Sequence, residues 1–335
     1  MKILVTGGAG FIGSNYIHYI LKKYPNDEIV NLDALTYAGN LSNLEDVKND
    51  KRYTFVHGDI MDGVTINEIL KNIDVIVHFA AESHVDKSIL DSISFLRTNV
   101  SGTLILLEAA KNNGNIRFHH ISTDEVYGSL DMNDPAFDEK VPYDPRSPYS
   151  ASKAASDHFV RSYFHTHGLP ITISNCSNNY GPYQFPEKMM PLFVSNLIDN
   201  KKIPIYGTGE NVRDWIHVED HCRAIDMIVR NGTIGETYCV GGNAERTNME
   251  ITHTILDVMG KGTEMIEYVE DRKGHDKRYA INFDKIKKEL GWEPEVVFEE
   301  GIAETIQWYQ DNSEWWRSVK NGKYQKQHPL FNEKK

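Results

Sequence analysis

Two short segments carry side chains that could perform acid–base chemistry together. Residues 122–128 read Ser-Thr-Asp-Glu-Val-Tyr-Gly, and residues 147–153 read Ser-Pro-Tyr-Ser-Ala-Ser-Lys. Tyr149 and Lys153 follow Pro148, which is favoured in the first turn of a helix, and their four-residue spacing puts them on one helical face. Because an ammonium beside a phenol favours the phenolate, the pair predicts a tyrosine that takes a proton near neutral pH. The same spacing also fits an exposed helical pair without function.

The other segment places an alcohol and two carboxyl groups at the end of a predicted strand. Thr123, Asp124 and Glu125 follow the apolar run Ile116–Ile121 after a single serine. Open α/β sheets bind ligands at the carboxyl ends of their strands. Since neighbouring carboxylates raise the pKa of one of the two, one can act as an acid and the other as a base. Ordinary turn acids and a capping threonine are the alternative.

A glycine-rich turn near the N-terminus predicts a dinucleotide site. The β-branched run Lys2–Thr6 leads into Gly-Gly-Ala-Gly-Phe-Ile-Gly at Gly7–Gly13, and apolar residues then recur at helical spacing. Glycines let the backbone approach a pyrophosphate at the helix N-terminus. Asp33 ends the next strand 20 residues beyond Gly13, and its carboxylate suits a ribose 2′-hydroxyl. We therefore expect NAD as cofactor rather than NADP, the alternative being a glycine turn that binds none.

The chain alternates between strand and helix patterns, which predicts an α/β fold with a doubly wound parallel sheet of the Rossmann type. Further strands are expected at Tyr53–His57, Asp74–Ala80, Ile116–Ile121, Ile171–Cys176 and Glu236–Val240. We expect a NAD-binding domain over residues 1–177, to which residues 212–245 return. Residues 178–211 and 246–335 should form a smaller, mixed α/β substrate domain. Asp59 follows a strand and could meet the adenine amine, or it is a turn or N-cap aspartate.

The composition excludes several classes of partner. A net charge of −12 argues against nucleic acid and anionic membranes, and no apolar run approaches the ~20 residues of a membrane span. Three cysteines without CxxC spacing and the lack of a signal sequence favour the cytoplasm. His119 and His120 would point to opposite faces of a strand, so we expect no metal there.

Eight segments together resemble the extended short-chain dehydrogenase/reductase superfamily and, within it, the family of dTDP-glucose 4,6-dehydratases. They are Gly7–Gly13, Asp33–Asn40, Ala80–Lys87, Ser122–Gly128, Tyr149–Lys153, Asn175–Pro182, Arg213–Asp220 and Asp271–Ala280. The Tyr-x-x-x-Lys pair marks the superfamily, whereas Thr-Asp-Glu is far more specific because a sugar epimerase has no use for an acid and a base there. Lys273 stands where the family usually has proline.

The resemblance implies a NAD-dependent lyase that converts dTDP-glucose into dTDP-4-keto-6-deoxy-glucose. Carbon 4 is oxidised, water is eliminated across carbons 5 and 6, and the stored hydride returns to carbon 6 without release of NAD. Tyr149, supported by Lys153, would take the 4-hydroxyl proton, and Thr123 would donate to the 4-oxygen. Glu125 would remove the carbon 5 proton as general base, and Asp124 would protonate the departing 6-hydroxyl as general acid.

The resemblance also implies a set of binding residues. The cofactor contacts are expected at Gly7, Gly10, Phe11, Ile12, Gly13, Asp33, Leu35, Thr36, Asp59, Ile60, Ala80, Ala81, Ser83, Thr98, Tyr149, Lys153 and Asn179. The substrate contacts are expected at His84, Thr123, Asn178, Glu187, Lys188, Ile203, Ile205, Arg213, Asn248, Arg272 and His275. Arg213 and Arg272 suit a diphosphate, which a guanidinium binds through two parallel bonds. Asn178 and Asn248 can also be turn residues.

Helix-like stretches at Phe95–Lys111 and Ala151–His167 correspond to those that pair two subunits in this superfamily, so the resemblance implies a homodimer. Alternatively, both helices only cover the sheet within one chain. Two other enzymatic functions stay open: a dehydratase of a UDP or CDP hexose, and an epimerase, which Asp124 and Glu125 disfavour. A NAD-sensing protein without catalysis is the non-enzymatic alternative, and the intact Tyr149 and Lys153 argue against it.

Overall fold

The computed structural model describes residues 1–271 and 275–322, in which twelve strands are found. They are β1 (Lys2–Thr6), β2 (Glu28–Asp33), β3 (Tyr53–His57), β4 (Val75–His78), β5 (Arg117–Thr123), β6 (Ile171–Cys176), β7 (Asn178–Tyr180), β8 (Ile203–Tyr206), β9 (Val212–His217), β10 (Thr237–Val240), β11 (Glu245–Thr247) and β12 (Ile266–Val269). Seven of them form one sheet in the order β3-β2-β1-β4-β5-β6-β10, and every pair in it is parallel. The predicted doubly wound sheet is confirmed.

Twelve α-helices are found in the same described residues. They are α1 (Phe11–Lys23), α2 (Gly63–Leu70), α3 (Val85–Leu90), α4 (Ser92–Phe95), α5 (Thr103–Asn112), α6 (Pro148–His167), α7 (Met189–Ile198), α8 (Val218–Asn231), α9 (Asn248–Val258), α10 (Asp284–Leu290), α11 (Phe298–Asp311) and α12 (Ser313–Lys320). Short 3-10 turns occur at Leu41–Leu44, Asp124–Tyr127 and Thr263–Met265, and a π-helical turn at Leu96–Gly102 joins α4 to α5. No described helix is long and apolar enough to cross a bilayer.

The alternation of side chains along β1 explains why helices cover both faces of the sheet. All its central residues are buried, and successive side chains of a strand point to opposite faces. Leu4 therefore packs into the core under α2, α5 and α6, whereas Ile3 and Val5 pack into the core under α1 and α8. Such a two-sided arrangement requires strands that are apolar throughout, as parallel sheets have.

The C-terminal part of the chain adds two small sheets and returns once to the large one. β9 lies between β11 and β7, and β8 pairs with β12. Helices α7, α9 and α11 enclose a separate apolar core that includes Trp316. Strand β10 pairs with β6 at the edge of the large sheet, as the predicted strand Glu236–Val240 required.

The predicted helical stretch Phe95–Lys111 is interrupted by the π-helical turn. Within this turn the carbonyl of Asn99 accepts hydrogen bonds from the hydroxyls of Thr103 and Ser156, both at 2.6 Å. Local π-helical turns are frequent at functional sites because they displace side chains that a regular helix would place elsewhere. Here the turn brings Thr98 to a cleft above the sheet.

Candidate active site

A cleft with a volume of about 340 Å³ lies at the carboxyl ends of the parallel strands. The glycine turn after β1, the residues that follow β2, β4, β5 and β6, and the segment 184–188 line it. Parallel α/β sheets bind ligands at this edge, because the loops that leave the strands diverge there. Thr123, Asp124, Glu125, Tyr149 and Lys153 all line this cleft together with the glycine turn.

The glycine turn has the shape that a dinucleotide needs. Gly7 has a φ of +71°, and a Cβ there would lie 2.7 Å from the Ala80 Cα. A Cβ on Gly13 would lie 2.5 Å from the Gly7 carbonyl oxygen, so side chains are excluded at both positions. Helix α1 begins after Gly10 without a side-chain cap and without an acidic residue in its first turn. Its N-terminal amides can therefore bind a pyrophosphate.

Asp33, the residue expected to bind the cofactor ribose, also stabilises the glycine turn. Its carboxylate accepts hydrogen bonds from the backbone amides of Ala9 at 2.9 Å and Leu35 at 2.8 Å. Burial raises its pKa, and these two amide hydrogen bonds oppose that shift. Asp33 lines the cleft, so the carboxylate can also accept from a ribose hydroxyl. The donor set and the glycine cradle together fit NAD.

Nearly all of the residues expected to bind the cofactor line the cleft. They are Gly7, Gly10, Phe11, Ile12, Gly13, Asp33, Thr36, Asp59, Ile60, Ala80, Ala81, Ser83, Thr98, Tyr149, Lys153 and Asn179. Asp59 also accepts a hydrogen bond from the Met61 amide at 2.9 Å, so the turn role considered for it is present as well. Leu35 is the exception, because its side chain is buried in the core and only its backbone contacts Asp33.

Tyr149 and Lys153 lie one turn apart on α6, but the lysine is held by the backbone. Ser147 and Ser150 form a capping box at the start of this helix. The Lys153 ammonium donates to the Ile121 carbonyl oxygen at 2.8 Å. Burial raises the pKa of Tyr149 well above its ordinary value, and the negative charges of nearby carboxylates add to this shift. The helical spacing alone therefore does not lower the pKa of the Tyr149 phenol. A further positive charge near the phenol is needed to favour the phenolate.

Asp124 has the properties of a general acid. It is buried, and burial raises the pKa of its carboxyl group well above the usual range, with a further contribution from the charge of Glu125. Its Oδ2 is buried and makes no hydrogen bond to the described residues. A carboxyl group with a raised pKa keeps its proton to higher pH, and where it lines a cleft it can donate that proton to a ligand.

We expect Asp124→Asn to stabilise the protein increasingly as the pH rises. In the unfolded chain the carboxyl group ionises near its ordinary pKa of about 4, whereas the folded protein keeps the proton to higher pH. The free energy of unfolding of the wild type should therefore fall as the pH rises between the unfolded and the folded pKa. Thermal unfolding of both proteins across this range tests the sign. A melting-temperature difference that does not change with pH would contradict it.

Thr123 and Glu125 complete the catalytic group that the sequence predicted. The Thr123 hydroxyl hydrogen-bonds to Tyr149, and this bond opposes the rise in the pKa of the phenol. The same hydroxyl accepts from the Glu125 amide at 3.3 Å, which caps the 3-10 turn. Glu125 is half-buried and lines the cleft. Thr123 is thus both the cap that was considered for it and a neighbour of the phenol.

Some of the residues expected to bind the substrate meet at the mouth of the cleft. Asn178, Glu187 and Lys188 line it, and Lys188 donates to the Ser83 carbonyl oxygen at 3.0 Å. His84 lies beside this mouth, with its Nε2 3.6 Å from the Glu187 carboxylate. These contacts join the loop after β4 to the segment before α7.

The other residues expected to bind the substrate lie outside the cleft lining. Ile203 and Ile205 are buried in the C-terminal core, and Asn248 begins α9. His275 hydrogen-bonds to Asp271 at 2.7 Å. Arg213 is buried near enough to Asp124 to oppose the rise in its pKa. Arg272 and Lys273 lie outside the described residues.

Three cleft features were not predicted from the sequence. Asn99 holds the loop after β4 through its side chain, which accepts from the Glu82 amide at 2.8 Å and donates to the Glu82 carbonyl oxygen at 3.0 Å. The Lys87 ammonium lies over the Tyr37 ring, 3.5 Å from the ring centroid, and Tyr37 packs edge-on against Phe185. Cys176 lines the cleft beside Tyr149. Of the three, only Cys176 could have been found from the sequence, because it ends the predicted strand Ile171–Cys176.

Comparison with known proteins agrees with this geometry. The family model for GDP-mannose 4,6 dehydratase matches residues 4–305. A dTDP-glucose 4,6-dehydratase from Shigella flexneri is 50% identical over 351 residues, which cover 97% of each chain. The dTDP-glucose 4,6-dehydratase from Streptomyces venezuelae, solved with NAD and TYD bound, superposes with a TM-score of 0.93 at 50% identity and covers 95% of this chain and 100% of its own.

An epimerase shares the fold at a greater distance. The UDP-glucose 4-epimerase from Thermotoga maritima, solved with UDP-glucose, has a TM-score of 0.87 at 28% identity and covers 93% of this chain and 100% of its own. The identity to the dehydratases, at 50%, is far higher. The chain therefore belongs to the GDP-mannose 4,6-dehydratase family of extended short-chain dehydrogenases/reductases and, within it, to the dTDP-glucose 4,6-dehydratases.

Proposed function

We propose that this protein removes water from dTDP-glucose to give dTDP-4-keto-6-deoxy-glucose, with NAD held in the cleft. The observation that carries the proposal is that Asp124, Glu125 and Tyr149 line one cleft with the glycine turn. An oxidation alone would need only the phenol, whereas a dehydration also needs a proton donor and a proton acceptor. The relatives at 50% identity, which are dTDP-glucose 4,6-dehydratases, support the choice of substrate.

The cofactor would be held by groups already in place. The amides at the start of α1 would bind the pyrophosphate, and Asp33 would accept from a ribose hydroxyl. When bound, NAD would supply a reversible oxidation: it would accept a hydride from sugar carbon 4 and return it to carbon 6, while carbon 5 takes back a proton and carbon 4 stays a ketone. A positively charged nicotinamide bound near Tyr149 would lower the pKa of its phenol. Asp59 and Thr98 lie along the same cleft.

Tyr149 takes the proton from the 4-hydroxyl as carbon 4 becomes a ketone. The Thr123 hydroxyl, which already hydrogen-bonds to the phenol, donates to the 4-oxygen as it becomes a carbonyl. Lys153 adds a positive charge that favours the phenolate. The new ketone then acidifies the hydrogen on carbon 5, which prepares the second step.

Glu125 takes the carbon 5 proton as general base. The electron pair of that C–H bond forms the double bond between carbons 5 and 6, and the C–O bond at carbon 6 breaks. Asp124 gives its proton to the departing oxygen, so that water leaves rather than hydroxide. Its raised pKa fits this role, because the carboxyl group keeps its proton to higher pH than an ordinary aspartate does.

The remaining contacts are proposed from the family resemblance and their positions. Asn178, Glu187, Lys188 and His84 lie at the mouth of the cleft and would contact the sugar and the diphosphate. Arg213 is buried outside the cleft lining, near enough to interact with the charge of Asp124, and the resemblance assigns it to the diphosphate. Contacts with the base and the rest of the nucleotide are proposed for Ile203, Ile205, Asn248, Arg272 and His275.

A panel of nucleotide sugars tests the proposed function. The protein is incubated separately with dTDP-glucose, UDP-glucose and CDP-glucose, and the keto product is read by its absorbance in alkali. We expect the largest kcat/KM for dTDP-glucose. Product only from UDP-glucose or CDP-glucose would overturn the substrate, and a 4-epimer without keto product would overturn the reaction.

We further propose that the protein is a homodimer. Apolar side chains are exposed on neighbouring helices: Leu90 of α3 is 88% exposed, Ile93 of α4 is 63% exposed, and Phe159 of α6 is also exposed. An apolar surface of this kind marks an interaction site, and it includes Phe159 of α6, within the stretch Ala151–His167 that the resemblance assigns to subunit pairing. Burying it against a second copy would remove these side chains from water.

Substitution on this surface is expected to separate the subunits. Leu90→Asp with Ile93→Asp would place two charges in the interface, so light scattering after size-exclusion chromatography should give the mass of one chain. Val64→Asp is the matched control, because Val64 is 77% exposed on α2 and should leave the dimer intact. A single-chain mass for the unmodified protein would overturn the homodimer.

The remaining proposals concern organisation and compartment. We place the NAD-binding domain at residues 1–177 with 212–245, and the nucleotide-sugar domain at residues 178–211 and 246–335. The separate core under α7, α9 and α11 supports the division into two domains. The pairing of β10 with β6 supports the return of the chain to the NAD-binding domain.

We propose the cytoplasm as the compartment, since Cys176, Cys222 and Cys239 are free and buried.

A further inference from the structure

Four polar residues form a stripe along α6, only two of which take part in the proposed mechanism. Tyr149, Lys153, Asp157 and Arg161 recur at four-residue spacing, so they lie on one face of the helix. Their side chains alternate between a phenol, a cation, a carboxylate and a second cation. Asp157 is 0% exposed in the centre of this stripe, and its role is unassigned.

The carboxylate of Asp157 is surrounded by donors. Its Oδ2 accepts from the Ser122 hydroxyl at 2.9 Å, the Tyr143 hydroxyl at 2.8 Å and the Asn175 amide at 3.2 Å. Its Oδ1 lies 3.3 Å from the Nε2 of His120. The interaction with His120 and the charges of Lys153 and Arg161 hold the pKa of Asp157 below its ordinary value in spite of burial. The group is therefore a buried negative charge at neutral pH.

The buried ammonium of Lys153 is stabilised by a nearby negative charge of this kind. Only 4% of it is exposed, and burial lowers its pKa to about 8, while Asp157 is the largest contribution in the opposite direction. A buried ammonium without a compensating carboxylate would lose its proton more readily still. The Ile121 carbonyl that accepts from its Nζ satisfies a hydrogen bond but brings no net charge.

The other groups around this pair do not replace Asp157. His120 of β5 lies 3.5 Å from the Lys153 ammonium, but its pKa is lowered to about 4, so it is neutral at working pH. The pKa of His78 of β4 is likewise lowered, and that of the Cys176 thiol of β6 is raised to about 12. Burial raises the pKa of Tyr143, so its phenol is neutral, and Arg161 is a cation.

We propose that Asp157 is a positioning residue that keeps Lys153 protonated in the working pH range, so that the ammonium can favour the Tyr149 phenolate. The inference rests on the proposed function, because it assigns Asp157 to the same oxidation step. Asp157 does not itself line the cleft, although it accepts a hydrogen bond from Ser122, which does. It acts through Lys153 from the next helical turn. A role in packing alone would lower the rate equally at every pH, whereas a role through Lys153 changes the pH dependence.

The test is the pH profile of kcat for dTDP-glucose turnover by the holoenzyme. The wild type should lose activity as the pH rises through the pKa of Lys153. In Asp157→Asn this alkaline limb should move to lower pH by roughly 1–3 units, the size expected for loss of a nearby opposite charge. Asp157→Glu should restore the limb towards the wild-type position. Tyr143→Phe is the matched control, because it removes a hydrogen bond to Asp157 but no charge, and its limb should stay in place.

Asp157→Ser is measured beside Asp157→Asn, because the smaller side chain removes the same charge and leaves room for water. Circular dichroism establishes that each variant is folded. A folded Asp157→Asn or Asp157→Ser with the wild-type limb would overturn the inference, as would failure of both to fold, since the carboxylate would then belong to the scaffold. None of these outcomes touches the proposed function, which stands or falls with turnover by the wild type.

Discussion

Tyr149→Phe is expected to lower kcat for dTDP-glucose by about a thousandfold, within the range that a positioned general base contributes. The substitution removes the hydroxyl that takes the 4-hydroxyl proton and keeps the ring that fills the site. No early oxidation should then occur, so reduced nicotinamide should not appear in a single turnover. Stopped-flow absorbance together with steady-state product formation measures both effects.

Tyr16→Phe is the matched control for this loss. Tyr16 is fully buried on α1, and its hydroxyl makes no hydrogen bond to the described residues. Removing a buried hydroxyl without a partner leaves catalysis unchanged and stabilises the fold slightly, by at most about 1 kcal/mol. Near-normal turnover by Tyr149→Phe would show that Tyr149 is not the base, regardless of the activity of Tyr16→Phe.

Glu125→Gln is expected to separate the two halves of the reaction. The amide keeps the size of the side chain but cannot accept the carbon 5 proton, so elimination should slow by about a thousandfold while the first oxidation continues. Reduced nicotinamide and a 4-keto sugar that still carries its 6-hydroxyl should therefore accumulate. Absorbance of the enzyme and mass spectrometry of the released sugar nucleotide measure the two species.

A half-buried glutamate elsewhere provides the comparison for Glu125→Gln. Glu139 accepts a hydrogen bond from the Cys239 amide at 2.8 Å and lies outside the cleft lining. Glu139→Gln keeps that acceptor, so turnover should be unchanged. Continued water loss by Glu125→Gln without accumulation of the reduced cofactor would mean that another group is the base.

The parts of the site that follow from local spacing were predictable from the sequence. The glycine turn and Asp33 were located by the glycine spacing and the acid 20 residues beyond it. The residues after the strand at Ile116–Ile121 were located by the rule that ligands bind at the carboxyl ends of parallel strands. The structure places all of them in one cleft. The strands themselves were recognisable because a parallel sheet that is covered on both faces leaves continuous apolar runs.

The electrostatics of the catalytic pair was not predictable from spacing. The four-residue spacing of Tyr149 and Lys153 suggests that the ammonium lowers the pKa of the phenol. In the structure, burial and the charges of Glu125 and Asp124 raise it instead. Both effects depend on which strands bury the helix face, and that is a property of tertiary packing rather than of the segment.

Long-range contacts account for the rest of what the sequence did not predict. The π-helical turn that contains Asn99 is fixed by hydroxyl groups of α5 and α6. Ile203 and Ile205 are apolar and were expected to contact the nucleotide base. In the structure they lie in a core that forms only when α7 packs on β8. By contrast, the spacing of Asp157 after Lys153 was visible in the sequence and was not used.

Isotope transfer tests the central claim most directly. The protein is incubated with dTDP-glucose that carries deuterium on carbon 4, and the product is analysed by mass spectrometry and NMR. The account predicts that the deuterium appears on carbon 6 of the 4-keto-6-deoxy product, within the same molecule and without added reductant. Loss of the label to solvent, or its retention on carbon 4, would contradict the account.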